Sequence, residues 1–424
     1  MGRPQPTEHS FGEPSPSAHE RDGHRHPVPS AEDPRVVDSD VADALLRTAR
    51  AVLEERVSEA SRSDVLFSEE LARRVADFTL DGGRRTRPRL LWWGMRACGA
   101  AETTAALRLG VALELIQTCA LIHDDVMDRS RLRRGRPAMH IGLAERAGLP
   151  PESGRGSAFG SSAAVLAGDL ALVWADDTVA ETVLSATRRR RVGALWRAMR
   201  TEMVAGQYLD LRGQVSGGFS TARALRTAWL KSASYSVERP LALGAALAGA
   251  DERTTDALRA AGRSAGIAFQ LRDDLLGVFG DPALTGKPSG DDVREGKPTY
   301  LLAVARTWAE AEGDEQALAV LGRVTGNADL AEEDLVDVRG VLDATGARAH
   351  VERAAERLHD RAVRRLGQAV DVDAHGGRQL LDLLRTVSGD RSGHSCATPG
   401  GARHDGGAAA ASRILTTAEG GNAR

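Results

Sequence analysis

The stretch of this chain best suited to chemistry is His123-Asp124-Asp125-Val126-Met127-Asp128, with Arg133-Arg134-Gly135 close behind it. An apolar run from Leu113 to Ile122 leads into it. If that run is helical and continues, Asp124 and Asp128 stand one turn apart on the same face. Two carboxylates aimed at one point repel each other unless a cation lies between them. Hard divalent ions such as Mg²⁺ take oxygen ligands, keep much of their water, and bridge a few carboxylates to a substrate phosphate. Guanidinium groups grip phosphate oxygens in a bidentate fork, so the two arginines suit the same task. The first expectation is a metal–diphosphate site.

A second acidic cluster strengthens it. Phe269-Gln270-Leu271-Arg272-Asp273-Asp274 lies about 150 residues downstream on another apolar background. Gly286-Lys287-Pro288 and Gly296-Lys297-Pro298-Thr299 follow it. Two acidic clusters on separate helices can face each other across a bundle. Carboxylates then hold metal, metal holds diphosphate, and lysines neutralise the remaining charge. Not every acidic pair qualifies: Asp176-Asp177 and Asp291-Asp292 read as solvated helix ends and are assigned no metal. Upstream, Gly82-Gly83 permits a tight turn, and Arg84-Arg85-x-Arg87 looks built to meet an anion.

The elements that must position these groups are helices. Alanine, leucine and arginine dominate the middle of the chain, and alternating strand patterns are nearly absent. Apolar residues recur at helical spacing over Val41–Ala60, Leu107–Ile122, Ala163–Leu184, Val192–Leu211 and Ala222–Leu247. Gly/Pro segments separate them, and the Gly/Ser-rich stretch from Pro150 to Gly160 reads as a surface loop. The expectation is one all-α domain over residues 38–388, a bundle around a central cavity. Residues 1–37 and 389–424 read as disordered tails, too polar to offset the entropy of ordering. His9, His19, His24 and His26 lie in the first tail and suggest no structural metal site. The formal net charge of −3 gives no sign of a nucleic-acid partner. Three scattered cysteines, Cys98, Cys119 and Cys396, fit a reducing compartment. No signal peptide and no apolar run long enough to span a bilayer is evident, so a cytoplasmic protein is expected.

The ordered set of motifs resembles the trans-isoprenyl diphosphate synthases, or polyprenyl synthetases, over most of the chain. Gly82 to Pro88 is similar to the family's Gly-Gly-Lys-x-x-Arg loop. Asp124 to Asp128 is similar to its first aspartate-rich motif, and Gly206-Gln207 with Asp210 to its Gly-Gln-x-x-Asp. Lys231-Ser232 resembles the Lys-Thr pair, and Phe269-Gln270 with Asp273-Asp274 the second aspartate-rich motif. The departures are Arg84, where lysine is usual, and Gly277, where many relatives carry a third aspartate.

The resemblance implies an isoprenoid-synthase-type bundle and a prenyltransferase joining isopentenyl diphosphate to an allylic diphosphate (dimethylallyl, geranyl or farnesyl). It implies Mg²⁺ on Asp124, Asp128 and Asp273, with Asp125 in support. Arg133, Lys231 and Lys287 would hold the allylic diphosphate. Arg84, Arg87, Gln117 and Arg134 would hold isopentenyl diphosphate, and Ser232, Phe269, Gln270 and Lys297 complete the substrate set. Cys119 and Ala120 are small where farnesyl-forming relatives often place an aromatic ring. With Ile116 or Leu113 deeper, they favour geranylgeranyl diphosphate as product. A homodimer is also implied, and the tails are candidate docking segments. The competing readings are a class I terpene cyclase and a noncatalytic subunit of a heteromeric synthase. The few aromatics and the retained carboxylates and cations argue against both.

Overall fold

Good helix formers fill the chain between its tails, and the structure is helical nearly throughout. The computed structural model describes residues 33–216, 220–281, 289–327 and 329–389. The tails beyond these bounds, their histidines, Cys396 and Lys287 lie outside the described residues. In chain order the α-helices are α1 (Pro34–Ser39), α2 (Val41–Ser63), α3 (Val65–Phe67), α4 (Arg73–Leu80), α5 (Thr86–Ala97) and α6 (Thr103–Met127). Next come α7 (Met139–Arg146), α8 (Gly154–Glu181), α9 (Ala186–Ser216), α10 (Thr221–Ala228), α11 (Arg239–Ala248) and α12 (Glu252–Phe279). The last are α13 (Asp291–Arg294), α14 (Tyr300–Glu312), α15 (Glu315–Val324), α16 (Glu332–Ala344), α17 (Ala347–Ala369) and α18 (His375–Ser388). Ser68–Ala72 and Trp229–Glu238 are π-helical. Among the described residues the only strands form a small antiparallel hairpin, β1 (Leu132–Arg133) with β2 (Arg136–Pro137).

Helix α6 is the axis of the bundle. Leu109, Val111, Leu113, Leu115, Ile116 and Ile122 are fully buried, so the helix is apolar on all sides, as a core helix must be. It packs against α2, α5 and α8. A second core gathers α10, α14 and α17 around the C-terminal part of α12. The two acidic motifs therefore end helices belonging to two adjoining cores.

Several sequence expectations change in detail. The Gly/Ser-rich stretch is not a loop to Gly160. Ser153 accepts the Gly156 N–H at 2.9 Å, caps α8, and starts the helix at Gly154. The small residues Gly156, Gly160, Ala163 and Ala164 form its buried face. At the front, α1 begins ahead of residue 38 and buries Val37. Two helices, Thr103–Met127 and Gly154–Glu181, are long and apolar enough to cross a membrane, contrary to the expectation from sequence. The first is 78% buried over its apolar window and serves as the core helix.

The pattern over Ala222–Leu247 is one helix in sequence but three in structure: α10, the π segment and α11. Pro240 lacks an N–H and its ring crowds the preceding turn, which favours a widened helix before it. The Arg239 N–H accordingly reaches back five residues to the Ser234 carbonyl. A π segment is often found at a functional site, and this one carries Lys231, Ser232, Tyr235 and Ser236.

Candidate active site

Asp124 and Asp128 share a face at the end of α6, as their spacing requires. Asp128 is the capping residue, its N–H bonded to the Asp124 carbonyl at 2.8 Å. Each carboxylate meets a lysine from elsewhere in the chain. Lys231 Nζ lies 3.2 Å from Asp124 Oδ1 and donates to Asp210 Oδ2 at 2.6 Å. Lys297 Nζ donates to Asp128 Oδ2 at 2.9 Å and also meets Glu295. Gln207 Nε2 donates to Asp124 Oδ1 at 3.1 Å. Burial alone would raise the Asp124 pKa, but Lys231 and Lys297, then Arg133, outweigh it and hold the carboxyl below its usual range. Lys231 is raised in turn: burial opposes its charge, and Asp124 and Asp210 overcome that. The close approach depends on Gly206, where an added Cβ would lie 2.3 Å from the Lys231 backbone nitrogen.

Asp125 points elsewhere. It is fully buried and its Oδ1 accepts Arg133 Nε at 2.9 Å, with a second contact from the same guanidinium. Burial raises its pKa despite that partner. Its geometry suits the anchoring of Arg133 better than ligation of a metal shared with Asp124 and Asp128. Arg133 closes the hairpin, and the two-residue turn is Arg134-Gly135 with φ of +54° and +73°. Positive φ at both positions is what a type I′ hairpin turn demands, and arginine is strained there. Arg134 donates to the Asp81 carbonyl at 3.1 Å and lies over the Phe78 ring. Arg85 and Arg129 are the other described non-glycine residues with positive φ.

The Gly-Gly loop separates its three arginines. Arg84 is exposed. Arg85 turns inward to Glu114 and the Thr79 carbonyl and is structural. Arg87 donates to Tyr235 Oη at 2.6 Å and Ser236 Oγ at 2.7 Å. Tyr235 Oη also donates to Gln117 Oε1. Tyr235 and Ser236 thus hold two of the residues expected to bind isopentenyl diphosphate, and neither was singled out from sequence. The register shift within the π segment, which puts them beside Arg87, has no signature in apolar periodicity.

On α12, Phe269 is exposed and Gln270 Nε2 donates to Asp274 Oδ1 at 2.9 Å. Asp273 is exposed, whereas Asp274 is buried. Burial first, then the neighbouring Asp292 and Asp273 carboxylates, push the Asp274 pKa up to about 8. Asp281 follows the end of α12 and so leaves the helix face. Among the described residues no three His, Cys, Asp or Glu side chains converge as a ready metal cage. The donor set still suits Mg²⁺, which binds through one or two carboxylates plus substrate phosphates.

Along α6 from this site, Ala120 lies one turn before Asp124 on the same face. Cys119 is buried with its Sγ 3.7 Å from His123 Nδ1, and His123 Nε2 lies 3.1 Å from the Val165 carbonyl. Ile116 is fully buried beneath them.

The sequence pattern of the polyprenyl synthetase family matches residues 69–337. A geranylgeranyl pyrophosphate synthase from Corynebacterium glutamicum, solved with isoprenyl diphosphate and magnesium, superposes with a TM-score of 0.73 at 37% identity. That match covers 82% of this chain and 98% of the other. A geranylfarnesyl diphosphate synthase from Aeropyrum pernix is 31% identical over 72% of this chain and 88% of its own. A (2E,6E)-farnesyl diphosphate synthase from Mycobacterium tuberculosis is 32% identical over 72% and 79%.

Proposed function

Because the chain belongs to the polyprenyl synthetase family and is a trans-prenyltransferase, we propose that it makes geranylgeranyl diphosphate from isopentenyl diphosphate and an allylic primer. The observation that carries the site assignment is the end of α6. There two carboxylates on one face are each met by a lysine from a different element.

Asp124, Asp128 and Asp273 would hold Mg²⁺, which supplies positive charge to the departing diphosphate. Arg133 and Lys231 would add fixed positive charge around the same group, and the resemblance assigns Lys287 to the same task, so its negative charge is met as the C–O bond breaks. Arg87, Gln117, Arg84 and Arg134 orient isopentenyl diphosphate, and Tyr235 and Ser236 keep Arg87 in place. Orientation accounts for much of the acceleration, because the alkene must face the allylic carbon as the cation forms. The apolar walls built on α6 keep water from quenching that cation. A proton is then lost, and the released diphosphate would take it.

The product assignment rests on Cys119 and Ala120, neither large enough to stop a tail at the farnesyl stage. Purified protein given each allylic primer, labelled isopentenyl diphosphate and Mg²⁺ should yield a C20 product after dephosphorylation and sizing. A C15 or C25 product would reject the length assignment, and turnover without isopentenyl diphosphate would favour a cyclase.

The functional unit is a homodimer in this reading. Phe159, Leu166 and Val173 are 42%, 61% and 54% exposed and repeat at seven-residue spacing on α8. They form one apolar stripe suited to a second copy. Light scattering should give a dimer, and Leu166→Glu should shift it toward monomer.

A further inference from the structure

A cavity of about 710 Å³ opens between α2, α4, the hairpin and α7, and no residue of either acidic cluster lines it. Five arginines reach it from four elements: Arg50 from α2, Arg73 and Arg74 from α4, Arg136 from β2 and Arg146 from α7. Only three carboxylates, Glu69, Asp77 and Asp81, stand against them, which leaves an excess of two positive charges on the walls. Like charges gathered from separate elements repel one another unless an anion joins them.

Little within the protein uses that charge. Among the described residues, Arg50, Arg73, Arg74 and Arg146 make no side-chain hydrogen bond or ion pair. Asp77 stands one turn after Arg73 on α4, at ion-pair spacing, and no pair forms. Arg136 is the exception, with its Nη1 2.5 Å from Asp81 Oδ2. The sequence also makes room for one of the guanidinium groups. An added Cβ on Gly142 of α7 would lie 3.1 Å from Arg74 Nη1. Glycine inside a helix is destabilising relative to alanine; here it leaves space for a cation that lines the cavity.

We infer that this cavity is a second diphosphate site, separate from the two substrate pockets, and that it takes a free or esterified diphosphate. Guanidinium forks arriving from several directions match a multiply charged anion with many oxygens better than a single carboxylate. Half-buried Leu80 and buried Met139 give the cavity an apolar part that suits an ester of a short hydrocarbon. Its position also gives occupancy a route to the substrate site. Asp81 precedes Gly82-Gly83; its carboxylate holds Arg136, and its carbonyl accepts from Arg134 at 3.1 Å. Phe78, another lining residue, lies under the Arg134 guanidinium. An anion that draws Arg136 away from Asp81 therefore acts on a support of Arg134. The second site stands without the prenyltransferase reading; only its link to Arg134 rests on that reading.

The test is isothermal titration calorimetry of the full chain with inorganic diphosphate, in EDTA so that no metal-held binding contributes. Wild type should show a binding event that weakens by about tenfold or more in Arg73→Gln combined with Arg146→Gln, the scale of lost charge-assisted contacts. Arg87→Ala should leave that event in place. Both substituted arginines are exposed, so melting curves should match wild type. Isopentenyl diphosphate titrated into Arg87→Ala separates the two sources. Binding tighter than that of inorganic diphosphate, and lost when the two glutamines are added, identifies an ester; equal or weaker binding identifies the free anion. Wild-type diphosphate binding in Arg73→Gln/Arg146→Gln would overturn the inference, as would equal binding of citrate, which would reduce the cavity to an unselective basic patch. Loss of the same event in Arg87→Ala would also overturn it, merging these arginines with the substrate pocket. Unchanged isopentenyl diphosphate affinity in Arg87→Ala, with the Arg73/Arg146 effect intact, would instead remove the substrate-pocket assignment and leave the second site standing.

Discussion

The two acidic clusters are made of the same side chains and solve opposite problems. In the first, protein cations already compensate the carboxylates: Lys231 meets Asp124, Lys297 meets Asp128, and Arg133 meets Asp125. In the second, Asp273 is exposed and Asp274 is buried, and burial, with the neighbouring Asp292 and Asp273 carboxylates, pushes the Asp274 pKa up to about 8. One cluster is organised by internal ion pairs, and the other holds a carboxyl group whose burial favours its neutral form. The supporting elements differ in the same sense. Lys231 stands on a π segment whose far end is clamped by a buried carboxylate. The second cluster lies near the segment 289–299, where the Gly290 N–H donates to the Gly277 carbonyl at 2.7 Å. A repeated motif in sequence is thus not a repeated environment, and the two halves should respond differently when broken.

The largest effect should come from the first cluster. Asp124→Ala or Asp128→Ala should lower turnover by about a thousandfold or more, the scale of losing a dedicated transition-state charge partner. The fold should survive, because both groups lie at the end of α6 beyond its apolar core. Steady-state rates at saturating Mg²⁺, with circular dichroism as the folding control, measure this. Near-normal turnover in either variant would contradict the central role given to this cluster.

The next effect is on stability. Glu238 is fully buried at the end of the π segment and accepts from Arg263 at 2.9 Å and from Trp229 Nε1 at 3.0 Å. Arg259 completes the group. Burial alone would raise its pKa, but Arg263, Trp229 and Arg259 outweigh that and hold it below the usual range. Glu238→Gln leaves two arginines without their counter-charge and should cost about 3 kcal/mol. A depressed folded pKa gives stability that is present above the unfolded value and lost as pH falls through the folded one. The gap in denaturation midpoint between wild type and variant should therefore hold at neutral pH and narrow below about pH 4. A pH-independent gap would mean that packing, not charge, holds the segment that presents Lys231.

A smaller kinetic effect separates the two substrates. Arg87 belongs to neither acidic cluster; Tyr235 and Ser236 hold it beside Gln117. Arg87→Ala should raise KM for isopentenyl diphosphate by about tenfold, a charge-assisted contact's worth, and leave KM for the allylic primer nearly unchanged. If only the allylic KM rises, the two diphosphate pockets have been exchanged. Tyr235→Phe should act in the same direction and more weakly, since it removes one anchor and keeps the guanidinium.

Much of this was legible before the structure. The helical class followed from composition and spacing, and the sharing of a face by Asp124 and Asp128 followed from their separation of four residues. Interactions set by tertiary context were not legible. Nothing in Arg84-Arg85-x-Arg87 says that the middle arginine turns inward to Glu114, because that depends on where α6 passes. The Gly/Ser-rich run before Ala163 reads as loop by composition, yet a serine cap and a small-residue packing face make it helix. Asp291-Asp292 reads as one of many acidic pairs, and only the fold places Asp292 near Gly277 while Asp291 pairs with Arg294.

The smallest effect on rate, and the most informative about product, should come from a place that touches neither cluster. Cys119 and Ala120 precede Asp124 on α6 and occupy adjacent edges of the helix. The Cys119 sulfur lies against His123 on the side facing α8, and Ala120 shares the face of Asp124. A phenyl group at either position takes volume that a growing tail needs, and a packed interior concedes little. Ala120→Phe should therefore shift product toward C15 while the first condensation keeps close to its wild-type rate. Cys119→Phe should also shorten the product, but it must displace the imidazole of His123 as well. Its thermal midpoint should fall further than that of Ala120→Phe. Sizing of dephosphorylated products, together with initial rates and melting curves for both variants, reads all three quantities. Wild-type chain length in both variants would mean that the tail does not pass this part of α6, and the geranylgeranyl assignment would lose its support.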